Sequence, residues 1–317
     1  MKAYLAGALL AAAVATVAGA PGAQAFPERE IEVIVNYGAG GGTDLSTRVL
    51  ADAAAKILGQ PLRIVNRAGG SGTVGPTFVA TAKPDGYTIG VASFSPLAVA
   101  PQLQEVPYSL DDFRFIMGHA RYRSGIAVAV DSPFESMADL IDAGRSGKEL
   151  NYAATDALGA ITMVRLGNTT GAQFKWIRYK SGQEAATAIM GGFVDVLIGN
   201  PIDITPHVKT GQLRLLASAS SVRWYELPDV PTLIEQGYDV QVESYAGLAA
   251  PAGTPDAVIA VLEKAFAAAL QDESVQSTMK ELGMEPVYMT SREYEAFLRE
   301  GFAAMARELP KIGLVKQ

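Results

Sequence analysis

The sequence contains no cysteine. Disulfides, iron–sulfur clusters, thiolate zinc sites and cysteine nucleophiles are thereby excluded. Histidine is nearly as scarce. His119 and His207 are the two in the chain and lie far apart, so a multi-histidine metal site cannot be assembled. No G-x-S-x-G elbow is present to support a serine–histidine–aspartate triad. Positive charge is in deficit: 26 Lys and Arg stand against 33 Asp and Glu, a formal net charge of -7. That balance argues against nucleic acid or an anionic membrane surface as partner. Beyond the N-terminus no apolar run is long enough to span a bilayer. Low-complexity linkers and repeats of fixed period are also missing.

What is present fits a core-forming chain. Its 317 residues suffice for two domains. A hydrophobic content of 49% with 19% charged residues supports globular packing. Met1-Lys2, the alanine-rich apolar stretch 5–17 and Ala23-Gln24-Ala25 read as a signal peptide over 1–25, cleaved after Ala25. An uncleaved anchor helix fits these flanks less well. No cysteine follows the cleavage site, so a lipid anchor is not expected. An exported, soluble, periplasmic protein follows. Lys2 is the one charged side chain in 1–25, so processing leaves the chain one unit more negative.

Glycine is clustered. Residues 31–44 read IEVIVNYGAGGGTD. Ile31, Val33, Ile34 and Val35 have strand character, Gly38-Ala39-Gly40-Gly41-Gly42 breaks it, and Thr43-Asp44 open a helical pattern. Glycine lets the backbone adopt positive φ and approach a ligand closely. The first amides of a helix lack partners and sit at its positive end. Strand, loop and helix start therefore make an anion seat. A second loop, Asn66-Arg67-Ala68-Gly69-Gly70-Ser71-Gly72, follows the next strand. Neither loop has clean G-x-G-x-x-G spacing, and Thr43-Asp44 stand where a phosphate-binding loop would place Lys-Ser/Thr. Tight turns alone would explain either one. Two on successive strand ends favour binding.

The chain alternates strand and helix. A helix is expected over 45–58, with Leu45, Val49, Ala53 and Ile57 on one face and Gly59 and Pro61 as stops. Strands at 62–65 and 87–92, the latter ending in Ser93-Phe94-Ser95-Pro96, complete a parallel α/β pattern. Such sheets bind ligands beyond the carboxyl ends of their strands. The apolar stretch 115–130, broken at 121–125, is expected to carry the chain into a second βα series. That series has strands at 150–154, 174–179, 194–198 and 213–218, and helices at 158–169, 183–190 and 204–209. Pro228 to Pro231 is expected to start a short helix. Residues 241–250 read as the return crossing. Helices at 256–270 and 291–309, the latter capped by Ser291, pack on the first lobe.

Several residues have two readings. Tyr37 and Phe94 at strand ends form either an apolar floor for a ligand or ordinary packing. Ser93 either donates a hydroxyl or caps a turn. Asn200 either contacts ligand or shapes the Gly-Asn-Pro turn. His119 and His207 read as structural.

Together these phrases resemble the solute-binding receptors of tripartite tricarboxylate transporters, the Bug receptors. Residues 36–44 stand where that family has a strand ending Pro-Phe and then x-Pro-Gly-Gly-x-x-Asp. Residues 66–72 stand for its Asn-Arg-Pro-Gly-Ala-Gly-Gly, Pro84-Asp85-Gly86-Tyr87-Thr88 for Pro-Asp-Gly-Tyr-Thr, and Tyr179-Lys180-Ser181-Gly182 for a Tyr-Lys-Gly phrase. Gly191-Gly192-Phe193-Val194-Asp195, Pro228-Asp229-Val230-Pro231-Thr232 and Ala250-Pro251-Ala252-Gly253-Thr254-Pro255 also match. The resemblance runs from Phe26 to the end.

It implies a two-lobed α/β periplasmic binding protein of Venus flytrap type, with two βα domains joined by crossing strands. Lobe 1 would comprise 26–124 and 248–317, and lobe 2 125–247. It implies a monomer without cofactor or metal that delivers a small organic acid to membrane transporter subunits or a sensor kinase. The amides of the first loop (Ala39, Gly40, Gly41, Gly42, Thr43, Asp44) and of the loop after Tyr152 (Thr155, Asp156, Ala157) would pinch a carboxylate. Tyr37, Ser93, Phe94, Tyr179 and Asn200 would complete the site. Family ligands range over citrate-like acids, dicarboxylates, acidic amino acids and aromatic acids.

The second jaw departs from the pattern. The family has Tyr-x-Ser-x-Gly-x-Gly-Ser and a histidine, where this chain has Asp156, Leu158 and Thr162 in place of the glycines and the histidine. Asp156 either caps a helix or meets an ammonium or hydroxyl donor of the ligand. A ligand with one carboxylate, or with an amino group, then fits better than citrate. The competing reading is an exported hydrolase or lyase acting on a small carboxylate, for which Asp44, Asp156 and Tyr179 are the candidate acids and bases.

Overall fold

In β1 (Ile31–Val35) every residue but Glu32 is buried. Ile31, Val33 and Val35 face one apolar core and Ile34 the other. That division is the two-residue period of a strand covered on both sides. The computed structural model describes residues 26–314 and Lys316, so the expected signal peptide lies outside the described residues.

After β1 come α1 (Gly42–Leu58), β2 (Leu62–Asn66), α2 (Val74–Ala80) and β3 (Thr88–Ser93). A π-helical turn at Ser95–Val99 and a short α3 (Ala100–Leu103) lead to β4 (Phe113–Tyr122). The chain then enters a second unit: β5 (Gly125–Ala129), α4 (Met137–Arg145), β6 (Leu150–Ala154), α5 (Ala157–Thr170) and β7 (Phe174–Arg178). That unit continues through α6 (Gly182–Met190), β8 (Val196–Gly199), α7 (Pro201–Lys209) and β9 (Leu213–Ser218). The return brings β10 (Ser244–Pro251), α8 (Asp256–Leu270), α9 (Glu273–Glu281), β11 (Glu285–Thr290) and α10 (Ser291–Glu308).

Two sheets result, ordered β11-β4-β10-β3-β1-β2 and β7-β6-β8-β5-β9. Within each, the parallel strands (β1, β2, β3 and β6, β7, β8) point their carboxyl ends at the gap between the lobes. β10 pairs antiparallel with β4 from its first residue, Ser244, and with β3 from Ala246, so the returning chain joins the first sheet before residue 248. The end of α10 is tied to the second lobe: Arg165 meets Glu308 at 2.6 Å, and the Asn168 side-chain amide donates to the Ile312 carbonyl at 2.9 Å.

Some elements differ from expectation. No helix starts at Pro228. The Leu233 N–H donates instead to the Ser218 carbonyl at 2.8 Å, Thr232 forms a bridge with Ser218, and Gly237 turns the chain at φ 85°. The cap of α10 is Thr290, one residue before Ser291, in a reciprocal pair with Glu293. α4, α9 and β11 were not anticipated. The first two start from acceptor caps, Ser136 and Asp272.

Candidate binding site

Helices α1, α5, α6 and α7 all begin at the interlobe gap, which holds a cavity of about 50 Å³. On the scale where a water needs ~10–15 Å³, it holds a few small groups, and a larger ligand enters only when the lobes part. Each helix start has a positive dipole end and first amides with no partner inside the helix, which at α5 and α6 are in part taken by the caps Asp156 and Ser181.

The first lobe contributes the start of α1. Gly41 stands at its N-cap with φ -80° and ψ 170°, and no side chain caps it. Gly41, Gly42 and Thr43 line the cavity. Asp44 does not. Its carboxylate accepts from the Gly40 N–H at 3.0 Å, from Arg48 at 2.9 Å and from the Asn66 amide at 2.8 Å. Burial alone would raise the Asp44 carboxyl, but hydrogen bonds from Arg48, Gly40 and Asn66 hold it below the usual range. It is a staple that shapes the loop. Gly40 takes φ 82° to make that turn, and Ala39 beside it is exposed; neither lines the cavity.

The second glycine loop serves Tyr37. A Cβ on Gly72 would fall 2.8 Å from the Tyr37 hydroxyl. The bare glycine lets the ring lie flat against the cavity wall, and burial pushes its phenol well up. Ser93, at the end of β3, also lines the cavity. Phe94 does not. It is buried in the core against Phe297, ring centroids 5.2 Å apart, and over the bare Cα of Gly301.

In the second lobe, Asp156 is the N-cap of α5, its Oδ1 accepting from the Gly159 N–H at 2.9 Å. It lines the cavity at the same time. Burial raises its carboxyl, and hydrogen bonds from Gly159, Leu158 and Ser95 offset part of that rise. Thr155 lines the cavity beside it, whereas Ala157 is turned into the lobe. Asn200 precedes α7 and lines the wall. Tyr179 lies outside. With Arg178 and Lys180 it borders an outer cavity of about 220 Å³, which shares Tyr37 and Thr155 with the inner one.

The sequence reading missed Asp203, Ser181 and Gly182. Asp203 is in the first turn of α7, 2% exposed. Burial pushes its carboxyl up to about 7, with hydrogen bonds from Asn200 pulling the other way. A Cβ on Gly182 would sit 2.1 Å from the Asp203 carboxyl carbon, so only glycine admits that side chain. Proline at the first position of a helix is a start signal. Beginning α7 at Pro201 rather than 204 would have placed Asp203 in the first turn. Tyr122, Ser124 and Ser244, from the strands that cross between lobes, also line the cavity and had no local signal.

No lysine, arginine or histidine lines the inner cavity among the described residues. The polar groups facing it are amides, hydroxyls, the Asn200 side chain and the carboxyls of Asp156 and Asp203. Beside the cavity the lobes are joined directly: the Gly38 N–H donates to the Lys180 carbonyl at 3.0 Å, and the Leu158 N–H to Ser95 Oγ at 3.3 Å. His119 and His207 are remote from this wall.

Residues 46–314 match the model of the tripartite tricarboxylate transporter family receptors. The chain belongs to that family. The receptor is 33% identical to the UPF0065 protein in the gbd 5′ region of Cupriavidus necator, over 99% of this chain and 97% of that one. Its fold is that of the periplasmic binding protein BugD, with a TM-score of 0.87 at 29% identity, covering 92% of this chain and 100% of that one. The R. palustris protein Rpa4515, solved with adipate, gives a TM-score of 0.87 at 26% identity over 92% of this chain and 100% of that one. Two-lobed solute receptors of the periplasm are thus the class to which this chain is similar in both sequence and structure.

Proposed function

We propose that residues 1–25 direct export and are removed after Ala25, and that the receptor then captures a small organic carboxylate between its lobes. The lobes comprise 26–124 with 248–317, and 125–247 apart from Ser244–Gly247, which already pair in the first sheet. The loaded, closed form is delivered to the membrane subunits of a tripartite tricarboxylate transporter. The receptor binds its ligand without transforming it. Capture needs closure and differential affinity rather than a nucleophile.

The observation that carries this reading is the uncapped start of α1. Gly41, Gly42 and Thr43 present amides to a cavity that no basic side chain neutralises. Ser93, Tyr37, Thr155 and Asn200 supply further polar contacts. Adipate in Rpa4515 supports a carboxylate as the ligand class. Asp156, the acid a hydrolase would call on, is engaged as a helix cap.

Gly41→Val is the test. The backbone at Gly41 is extended and admits any residue. A Cβ there would lie 3.7 Å from the Gly182 nitrogen, so valine fills the seat between α1 and α6 without disturbing the fold. Ligand-free melting should stay within about 2 °C of the parent. The thermal shift produced by a panel of mono-, di- and tricarboxylates should vanish. A retained shift would place the ligand elsewhere.

A further inference from the structure

The four-helix arrangement has an unequal distribution of charge, and its consequence rests on the cavity being the ligand site. Two of the helix starts place a carboxyl of the protein on the cavity wall. Asp156 caps α5, and Asp203 occupies the first turn of α7. The other two, α1 and α6, begin at glycines, Gly41-Gly42 and Gly182, which face each other across the gap; the acids of their first turns, Asp44 and Glu184, lie off the cavity wall, and the Ser181 cap of α6 takes the Glu184 N–H at 3.2 Å. That leaves one seat for an external carboxylate. Beside it, packed on the bare Cα of Gly182, is the Asp203 carboxyl.

Asp203 Oδ1 has no hydrogen-bond partner among the described residues, although the residue is 2% exposed. The same holds for Ser93 Oγ, on a residue 4% exposed in the opposite wall. Buried polar atoms are almost always partnered, so acceptors left open on a cavity wall mark where a ligand's donors go. A second carboxylate at this end would meet two buried acids and no cation.

We propose that the receptor selects a monocarboxylate bearing an ammonium group close to its carboxylate, the carboxylate seated on the Gly41–Thr43 and Gly182 amides and the ammonium received by Asp203. Asp203 is a specificity-determining residue in this arrangement. The small cavity limits the ligand to a compact skeleton, or directs a longer side chain past Tyr37 and Thr155 into the outer cavity.

The test uses the chain 26–317, unfolded and refolded to free it of carried ligand, and titrated with matched acids. The pairs are alanine with propionate, phenylalanine with 3-phenylpropionate, aspartate with succinate, and glutamate with glutarate. An amino member should bind at least tenfold tighter than its desamino counterpart. Asp203→Asn should cut that preference to threefold or less while keeping the folded spectrum. Desamino acids or dicarboxylates binding as tightly as amino acids would overturn the proposal and leave the carboxylate reading standing. Such a result with full affinity in Asp203→Asn would identify a protonated Asp203 that merely donates a hydrogen bond. Failure of every acid to bind would remove the carboxylate reading, and this proposal with it. The comparison within the unsubstituted chain decides the matter even if Asp203→Asn does not fold.

Discussion

His119 shows how a residue can matter to stability without belonging to the site. It lies in β4, fully buried, and neither ring nitrogen has a hydrogen-bond partner among the described residues. Burial holds its pKa at about 4, against 6.5 for a free histidine. The unfolded chain therefore takes up a proton at a pH where the folded chain does not. Its contribution is fully present above 6.5 and is lost as pH falls toward 4. At about 1.4 kcal/mol per unit, the loss reaches about 3 kcal/mol. His119→Leu should therefore flatten the acid limb. Urea unfolding at pH 7, 5 and 4 should show the variant gaining on the parent by that amount, because the other titratable groups cancel in the difference. Equal slopes would mean that water reaches the ring. The sequence showed His119 in an apolar strand and hence structural. That its ring lacks partners could not be seen, because the partners depend on neighbours far along the chain.

At the scale of elements, Asp44 exchanges one role for another. It was read as a ligand contact because it closes the glycine phrase. In the fold its oxygens are taken by Gly40, Arg48 and Asn66, and it fixes the loop whose next residues line the cavity. Asp44→Ala leaves the Gly40 N–H without its acceptor and the Asn66 amide with the Tyr37 carbonyl alone, which should cost about 1–3 kcal/mol in denaturant unfolding. Ligand affinity should fall as well, at least tenfold by calorimetric titration, although Asp44 does not line the cavity. Unchanged affinity would show that glycine geometry alone holds the loop. The boundaries that sequence periodicity predicted best belong to elements with one clear face. The strands at 150–154 and 213–218 and the helix at 256–270 coincide with β6, β9 and α8. β11 escaped notice because it is a half-buried edge with an irregular register and a proline at its second residue. The glycine start of α6 could be read from Ser181-Gly182. Its pairing with Asp203 could not, since a contact between the starts of two helices of one lobe leaves no periodic trace.

At the scale of the whole molecule, the described state is closed, and direct bonds join the lobes both beside the cavity and at the end of α10. The backbone bond between Gly38 and Lys180 cannot be removed by a side-chain change, but the bond from Leu158 to Ser95 can. Ser95 is 1% exposed at the start of the turn after β3, and its hydroxyl belongs to the first lobe while the amide it accepts from starts α5 in the second. In the open form water takes over both groups, so the bond favours closure by the usual net worth of a hydrogen bond, about 1 kcal/mol. Affinity for a ligand bound only by the closed state scales with the closed fraction. Ser95→Ala should therefore weaken binding about fivefold. The change should appear in the dissociation rate, since the open form that admits the ligand is untouched. Small-angle scattering should show a larger radius of gyration for the ligand-free variant than for the ligand-free parent, and the same radius once both are saturated. A fall in affinity without that difference in radius would mean that Ser95 acts through Asp156, whose carboxyl it also holds down, and not through the position of the lobes.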